Sequence, residues 1–378
     1  MTAGGEQVAK PPEERPPRPK RAWRDFKRGL HNQNPLVLVS AIVLLGGALA
    51  GLQLFFTSGA YTAIPEKYLL RRASDDYMYV SYTMSSLLRH PPKVPVVYLL
   101  GGSTARESIT SGPGLAADIK KDGGPTVQAY DLGSINQNYG QDVAIVDNAP
   151  KIPSILLIGV NVGRYTPSPG ASMMQTAGRE LLLNSPSLRT YVYHTYHKRR
   201  WSVTILPGIM NYLVTYAHDH RHQLLHLQIP DHPYNQHRYN LHSIHSVKAK
   251  QAMVTIWNKT RWPLFERNFK FNTDMLGELI KVAQARGLTP VLVELPNNHD
   301  IIGHAFDKPV AQYRKTLTEF AQTYHIDYVN FTDQLHIPNA DFHDLSHLVE
   351  PGRVIWQKKL AQVVAQLLAK YHMGAGGT

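Results

Sequence analysis

Five residues scattered along the chain have the types that acyl transfer requires: Ser103, Gly133, Asn161, Asp344 and His347. A serine hydroxyl is a poor nucleophile until a base takes its proton, and histidine is the usual base. The histidine in turn needs a carboxylate to fix its tautomer and stabilise its charged form. Asp344 and His347 stand three residues apart in Asp341-Phe342-His343-Asp344-Leu345-Ser346-His347, so one turn can set them side by side, with Asp341 as the other carboxylate of the motif. The oxyanion formed at an attacked carbonyl needs donors held in place beforehand. The backbone N–H groups of Ser103 and Gly133 and the side-chain amide of Asn161 are the candidates. Each residue also has an ordinary structural reading. Ser103 with Glu107 behind it reads as a helix N-cap, Gly133 as a turn glycine, and Asn161 as a loop cap.

What would gather these residues is the order of elements. Val94–Leu100 is a continuous apolar run that reads as a buried strand, followed by Gly101-Gly102-Ser103 and a helix near Gly114–Lys121. Thr126–Tyr130 is a short strand ending at Asp131-Leu132-Gly133, and Gln141–Ala149 a helix. Ile155–Gly159 is a third strand, ending at Asn161. Further on come a helix at Asn272–Arg286 capped by Gly287, a strand at Pro290–Leu295, a helix at Val310–His325, a short strand at Asp327–Asn330 and a last helix at Gly352–Tyr371. Apolar strands alternating with helices predict an α/β domain with a parallel sheet covered on both faces. Ligands of such sheets bind beyond the carboxyl ends of the strands, which is where these residues fall. Residues 164–270 interrupt the rhythm. They are rich in Tyr, Trp and His, are too long for a simple crossover, and read as a large helical insertion over one end of the sheet.

With Ser103, Gly133, Asn161 and His347 in this order, and Asp344 in an Asp-x-x-His motif, the chain resembles the SGNH (GDSL-type) hydrolases, a superfamily named for its Ser, Gly, Asn and His. The resemblance covers about residues 94–371 outside the insertion. It departs from the pattern in two places. The first block reads Gly-Gly-Ser-Thr in place of Gly-Asp-Ser-Leu, and Val162 follows Asn161 where Asp is commoner. Both departures fit the membrane-anchored branch that resembles cell-envelope and exopolysaccharide O-acyltransferases. The resemblance implies a three-layer, flavodoxin-like sheet and a Ser-His-Asp mechanism with no cofactor. It also implies a substrate carrying O-acyl groups, acetyl first among them, on an envelope or secreted polysaccharide. Its expected partner is a multispanning membrane acyltransferase that delivers the donor. The alternative is an inactive SGNH-type fold that binds glycans or scaffolds an envelope complex.

Rival motifs are weaker. Gly101-Gly102-Ser103-Thr104-Ala105 misses the Gly-x-Ser-x-Gly elbow of α/β-hydrolases, whose nucleophile follows several strands and not the first. Neither Gly-x-Gly-x-x-Gly nor Gly-Lys-Ser/Thr occurs at a strand end. His218 and His222 share a spacing that suits one helical face, but no third strong ligand stands near them, so no metal site is expected.

Composition bounds the rest. The 378 residues are 43% hydrophobic and 18% charged, which excludes wholesale disorder, and the absence of cysteine removes thiol nucleophiles and disulfides. The net charge of +12 suits anionic partners in general. With no basic-aromatic RNA signature, zinc finger or helix-turn-helix pattern, nucleic acid is not among the expected ones. Leu36–Phe56 carries no charge over 21 residues, about 32 Å as a helix and so the span of a bilayer core. Eight basic against four acidic residues precede it, so the positive-inside rule puts residues 1–35, a basic disordered tail, in the cytoplasm. Residues 57–93, a linker and lead-in helix, and the domain beyond them then lie outside it, with 372–378 as a flexible end. A cleaved signal peptide ending near Ala48-Leu49-Ala50 is the other reading. The long charged lead and the apolar run continuing to Phe56 disfavour it.

Overall fold

The computed structural model describes residues 34–170, 181–196, 205–237 and 244–374; most of the expected basic tail, parts of the insertion and the last four residues lie outside them. The chain divides into two compact units, Met1–Leu52 and Gln53–Thr378. The first contains most of helix α1 (Pro35–Thr57), which is long and apolar enough to cross a membrane.

The second unit is built on a five-stranded, all-parallel sheet in the order β2-β1-β3-β4-β5. Its strands are β1 (Val96–Leu100), β2 (Gln128–Asp131), β3 (Ser154–Val160), β4 (Thr289–Glu294) and β5 (Asp327–Val329). Every residue of β1 and β3 is buried. That is why these segments read as unbroken apolar runs: a central strand covered on both faces has no solvent side to make polar.

The helices sort onto the two faces by side-chain alternation. Val96, Tyr98 and Leu100 point into one core with Val80 and Met84 of α2 (Asp76–Arg89) and Val143 and Val146 of α5 (Tyr139–Asp147). The same core takes Leu276 and Ile280 of α10 (Trp262–Ala285) and Leu317 of α12 (Asp307–Tyr324). Val97 and Leu99 point into the other, with Leu115 and Ile119 of α4 (Gly112–Lys121) and Trp356, Leu360 and Val364 of α13 (Glu350–Lys370). Local signals set several boundaries. Asn138 and Gln141 form a reciprocal capping box at the start of α5, Ser111 caps α4, and Gly287 adopts φ +79° beyond the end of α10.

Between β3 and α10 the described part of the insertion carries the helices α6 (Pro186–Tyr196), α7 (Leu206–Asp219), α8 (Arg221–Leu225) and α9 (Val247–Ile256), with residues 226–237 outside any helix. A π-helical turn at Trp257–Arg261 joins α9 to α10 without a break. The helix expected at Asn272–Arg286 therefore begins ten residues earlier. Pro263 follows the π turn directly, so the donor it lacks falls where the hydrogen-bond ladder changes pitch. Phe265 and Phe269 pack on Tyr165, with ring centroids 5.8 and 4.9 Å away, and extend the core along the added turns.

Candidate active site

The chain leaves β1 toward β2 on one side and returns to β3 on the other, so the crevice at the carboxyl ends of β1 and β3 is the point where strand order reverses. Ser103 opens the four-residue helix α3 (Ser103–Arg106) directly after β1. The turn between them depends on Gly101: at φ +156°, a Cβ there would stand 2.6 Å from the Ala105 Cβ. Gly102, not Ser103, is the N-cap, and the Glu107 carboxylate is held by Arg353 at 2.6 Å. The capping reading of Ser103 therefore gives way to another set of contacts.

His347 Nε2 lies 2.8 Å from Ser103 Oγ, and His347 Nδ1 lies 2.7 Å from Asp344 Oδ2. With Nδ1–H donating to the carboxylate, the Nε2 lone pair accepts the serine proton. Asp344 Oδ1 accepts from the backbone N–H groups of Ser346 and His347, each at 2.9 Å. Burial raises the Asp344 pKa, but the hydrogen bond and charge of His347, with those two N–H groups, outweigh it and hold the carboxyl well below its usual range. Both side chains are mostly shielded, at 14% and 17% exposure, yet both line an open cleft. Asp344, not Asp341, is the carboxylate set against the histidine; Asp341 contributes its backbone oxygen to Val349 N–H at 2.9 Å.

The loop carrying the pair is closed by an antiparallel bridge between Phe342 and Leu348 and by His343 N–H donating to His347 O at 2.8 Å. Two residues outside the expected set hold it. Asn298, between β4 and the short helix α11 (His299–Ile302), donates through Nδ2 to Asp344 O (3.1 Å) and Asn339 Oδ1 (2.9 Å). Lys250, fully buried on α9, donates to Asn339 O, Asn339 Oδ1 and Phe342 O at 2.7–2.9 Å. The strand-end rule applied to the fourth strand reaches Asn298. Nothing in the local sequence marks Lys250.

The expected oxyanion donors separate. Asn161 lines the cleft; its Oδ1 accepts from Arg164 N–H at 3.2 Å, which leaves the Nδ2 hydrogens as what it can offer. The Ser103 N–H belongs to the first turn of α3, where no intrahelical acceptor exists. Gly133 is not brought to the cleft. Its N–H donates to Asp131 Oδ1 at 3.0 Å, and a Cβ at 133 would stand 2.7 Å from the Arg106 nitrogen. Its glycine character is explained by the close approach of the β2 end to α3. Asn136 and Gln137, a few residues on, line the cleft in its place, and the Gln137 carbonyl accepts from Arg164, itself paired with Asp142.

The cleft, of about 660 Å³, runs from Ser103 and His347 to a wall made by the insertion: Met253, Ile256, Trp257, Thr260 and Arg261, with Phe306 beside Trp257 at 4.3 Å between ring centroids. Its size suits a sugar-sized ligand. Among the described residues, no group of three or more His, Asp or Glu is placed to hold a metal ion; His218 and His222 are both exposed. The chain matches no protein-family model and no curated protein sequence.

Proposed function

We propose that the protein is a membrane-anchored serine acyltransferase or esterase of the SGNH type, acting outside the cytoplasm on O-acyl groups, acetyl first among them, of an envelope or secreted polysaccharide. The observation that carries this reading is the unbroken Ser103–His347–Asp344 hydrogen-bonded chain inside a cleft at the strand-order reversal. The 2-1-3-4-5 strand order, which is flavodoxin-like, and the helices on both faces support the resemblance at the level of fold.

In the proposed reaction Ser103 Oγ attacks the acyl carbonyl while His347 Nε2 takes its proton. Ser103 N–H and the Asn161 amide hold the oxyanion, and the tetrahedral intermediate collapses as His347 returns the proton to the departing alcohol oxygen. The acyl-Ser103 ester is then attacked by a hydroxyl whose proton His347 removes, and the acyl–Oγ bond breaks as His347 returns that proton to Ser103 Oγ. A sugar hydroxyl gives transfer and water gives hydrolysis; the anchor and the insertion-built cleft wall favour transfer. The donor would be supplied across the membrane by a multispanning acyltransferase, by analogy of fold type alone.

The test is hydrolysis of p-nitrophenyl acetate by the full chain in detergent, beside Ser103→Ala and His347→Ala, with fluorophosphonate labelling of the serine. Loss of turnover in both variants and labelling at Ser103 are expected. Equal rates in all three proteins would leave the inactive, glycan-binding reading standing.

A further inference from the structure

Outside α1, the four most exposed large apolar side chains among the described residues all belong to one stretch of the insertion: Leu227 at 92%, Leu225 at 78%, Ile229 at 75% and Val214 at 65%. Leu227 is also held at φ +54°, a region leucine rarely occupies. On α7 the exposed Met210, Val214 and Ala217 follow helical spacing, on the side away from the buried Ile209 and Tyr212. The stripe leads through Arg221 to Leu224 and Leu225. Arg221, His218, His222 and His226 are interspersed with it and exposed, with one carboxylate, Asp219, set against His218 at 3.2 Å. An apolar face bordered by cationic and imidazole groups is the pattern of an element lying in a membrane interface.

The placement of α7 names the occupant. Its other face is fixed to the residues that follow α1. Tyr212 packs on Phe56 with 6.1 Å between ring centroids and donates to Leu69 O, and Tyr216 donates to Tyr68 O at 2.7 Å. Phe56 is in the last turn of α1, and that turn belongs to the same compact unit as α7. An element bound to the last turn of a membrane-crossing helix starts at the lipid surface.

We propose that residues 206–229 form a second membrane contact, inserting Leu225, Leu227 and Ile229, with the Val214 face of α7, into the interface of the bilayer that α1 spans. The inference rests on reading α1 as the span. Because the chain has no cysteine, single nitroxide labels can be placed without background. The full chain would be reconstituted into vesicles of phosphatidylethanolamine and phosphatidylglycerol, with labels at Leu44→Cys, Leu225→Cys, Leu227→Cys, Ile229→Cys and, as a water control on α13, Val354→Cys. Relaxation by oxygen is compared with relaxation by a water-soluble nickel chelate. The expected result is an oxygen-to-chelate ratio at 225, 227 and 229 several-fold above that at 354 and shifted toward that at 44. Ratios at these positions equal to that at 354, with 44 in lipid, overturn the inference while the span stands. Labels at 225–229 shielded from both reagents indicate a protein partner and overturn it equally. A label at 44 that reports water overturns the span and, with it, this inference.

Discussion

The Ser103 hydroxyl has a partner on His347, and that partner's tautomer depends on Asp344. Because Asp344 Oδ1 is occupied by two backbone N–H groups, an asparagine there would keep its oxygen on them and turn its NH2 toward His347 Nδ1. The imidazole would then carry its proton on Nε2, facing Ser103, and the base would be lost. Asp344→Asn should lower kcat on p-nitrophenyl acetate by about 10³–10⁴-fold while leaving the fold intact; a loss under tenfold would remove Asp344 from the mechanism. Asp131 makes a second prediction. Burial pushes its carboxyl up to about 8, and the Glu107 and Asp76 charges add to the rise against the pull of Gly133 N–H and Arg106. An unfolded aspartate titrates at about 3.9, so between about 4 and 8 the folded chain binds the extra proton. Stability should therefore fall as pH rises through that window, with the loss complete above it. Asp131→Asn, still accepting from Gly133 N–H, should flatten this dependence; thermal melts at pH 5 and pH 8 that differ as much in the variant as in the parent would contradict the assignment.

At the scale of elements, the helix α9 is fastened to the loop that carries Asp344 and His347 by the Lys250 ammonium group. Lys250→Met would leave Asn339 O and Phe342 O without their donor, at a cost of about 1–3 kcal/mol. Turnover should fall with the loosened Asp344–His347 loop. Melting and kcat measured together check this: an unchanged kcat in a destabilised protein would reduce Lys250 to a structural tie. The five strands and most of the flanking helices were legible in the sequence to within a few residues. Buried parallel strands must be apolar throughout, and caps such as Asn138 and Gly287 are local. Two things were not legible. The extension of α10 through Pro263 needed the packing of Phe265 and Phe269 on Tyr165, and the insertion's part in the cleft needed the π turn that aims Trp257 and Arg261 at Ser103's side of the sheet. That Gly133 stands outside the cleft lining was not legible for a related reason. A glycine after a strand has the same local signature whether it serves a ligand or a close backbone approach, and here it is the approach to Arg106.

For the whole molecule, the proposed orientation follows from the charge before α1. The eight basic residues ahead of the span are expected to stay in the cytoplasm, leaving the unit from Gln53 onward outside. Sodium carbonate should fail to extract the chain from membranes, and protease added to intact spheroplasts should digest the globular unit but spare an N-terminal epitope. Digestion of the epitope alone would reverse the orientation.

By itself the sequence determined the run of strands and helices, an apolar helix long enough to span a bilayer, and, of five expected site residues, the four that meet at the sheet's carboxyl edge. These follow from patterns of a few residues and from the rule that parallel strands present their carboxyl ends to a ligand. Only the tertiary structure decided which donors reach the cleft, what wall faces Ser103, and how the Asp344–His347 loop is held. Those contacts join segments remote in the chain, as with Lys250 and Asn339, 89 residues apart. Such a pairing is set by packing and by the need to satisfy buried polar groups, neither of which leaves a local trace.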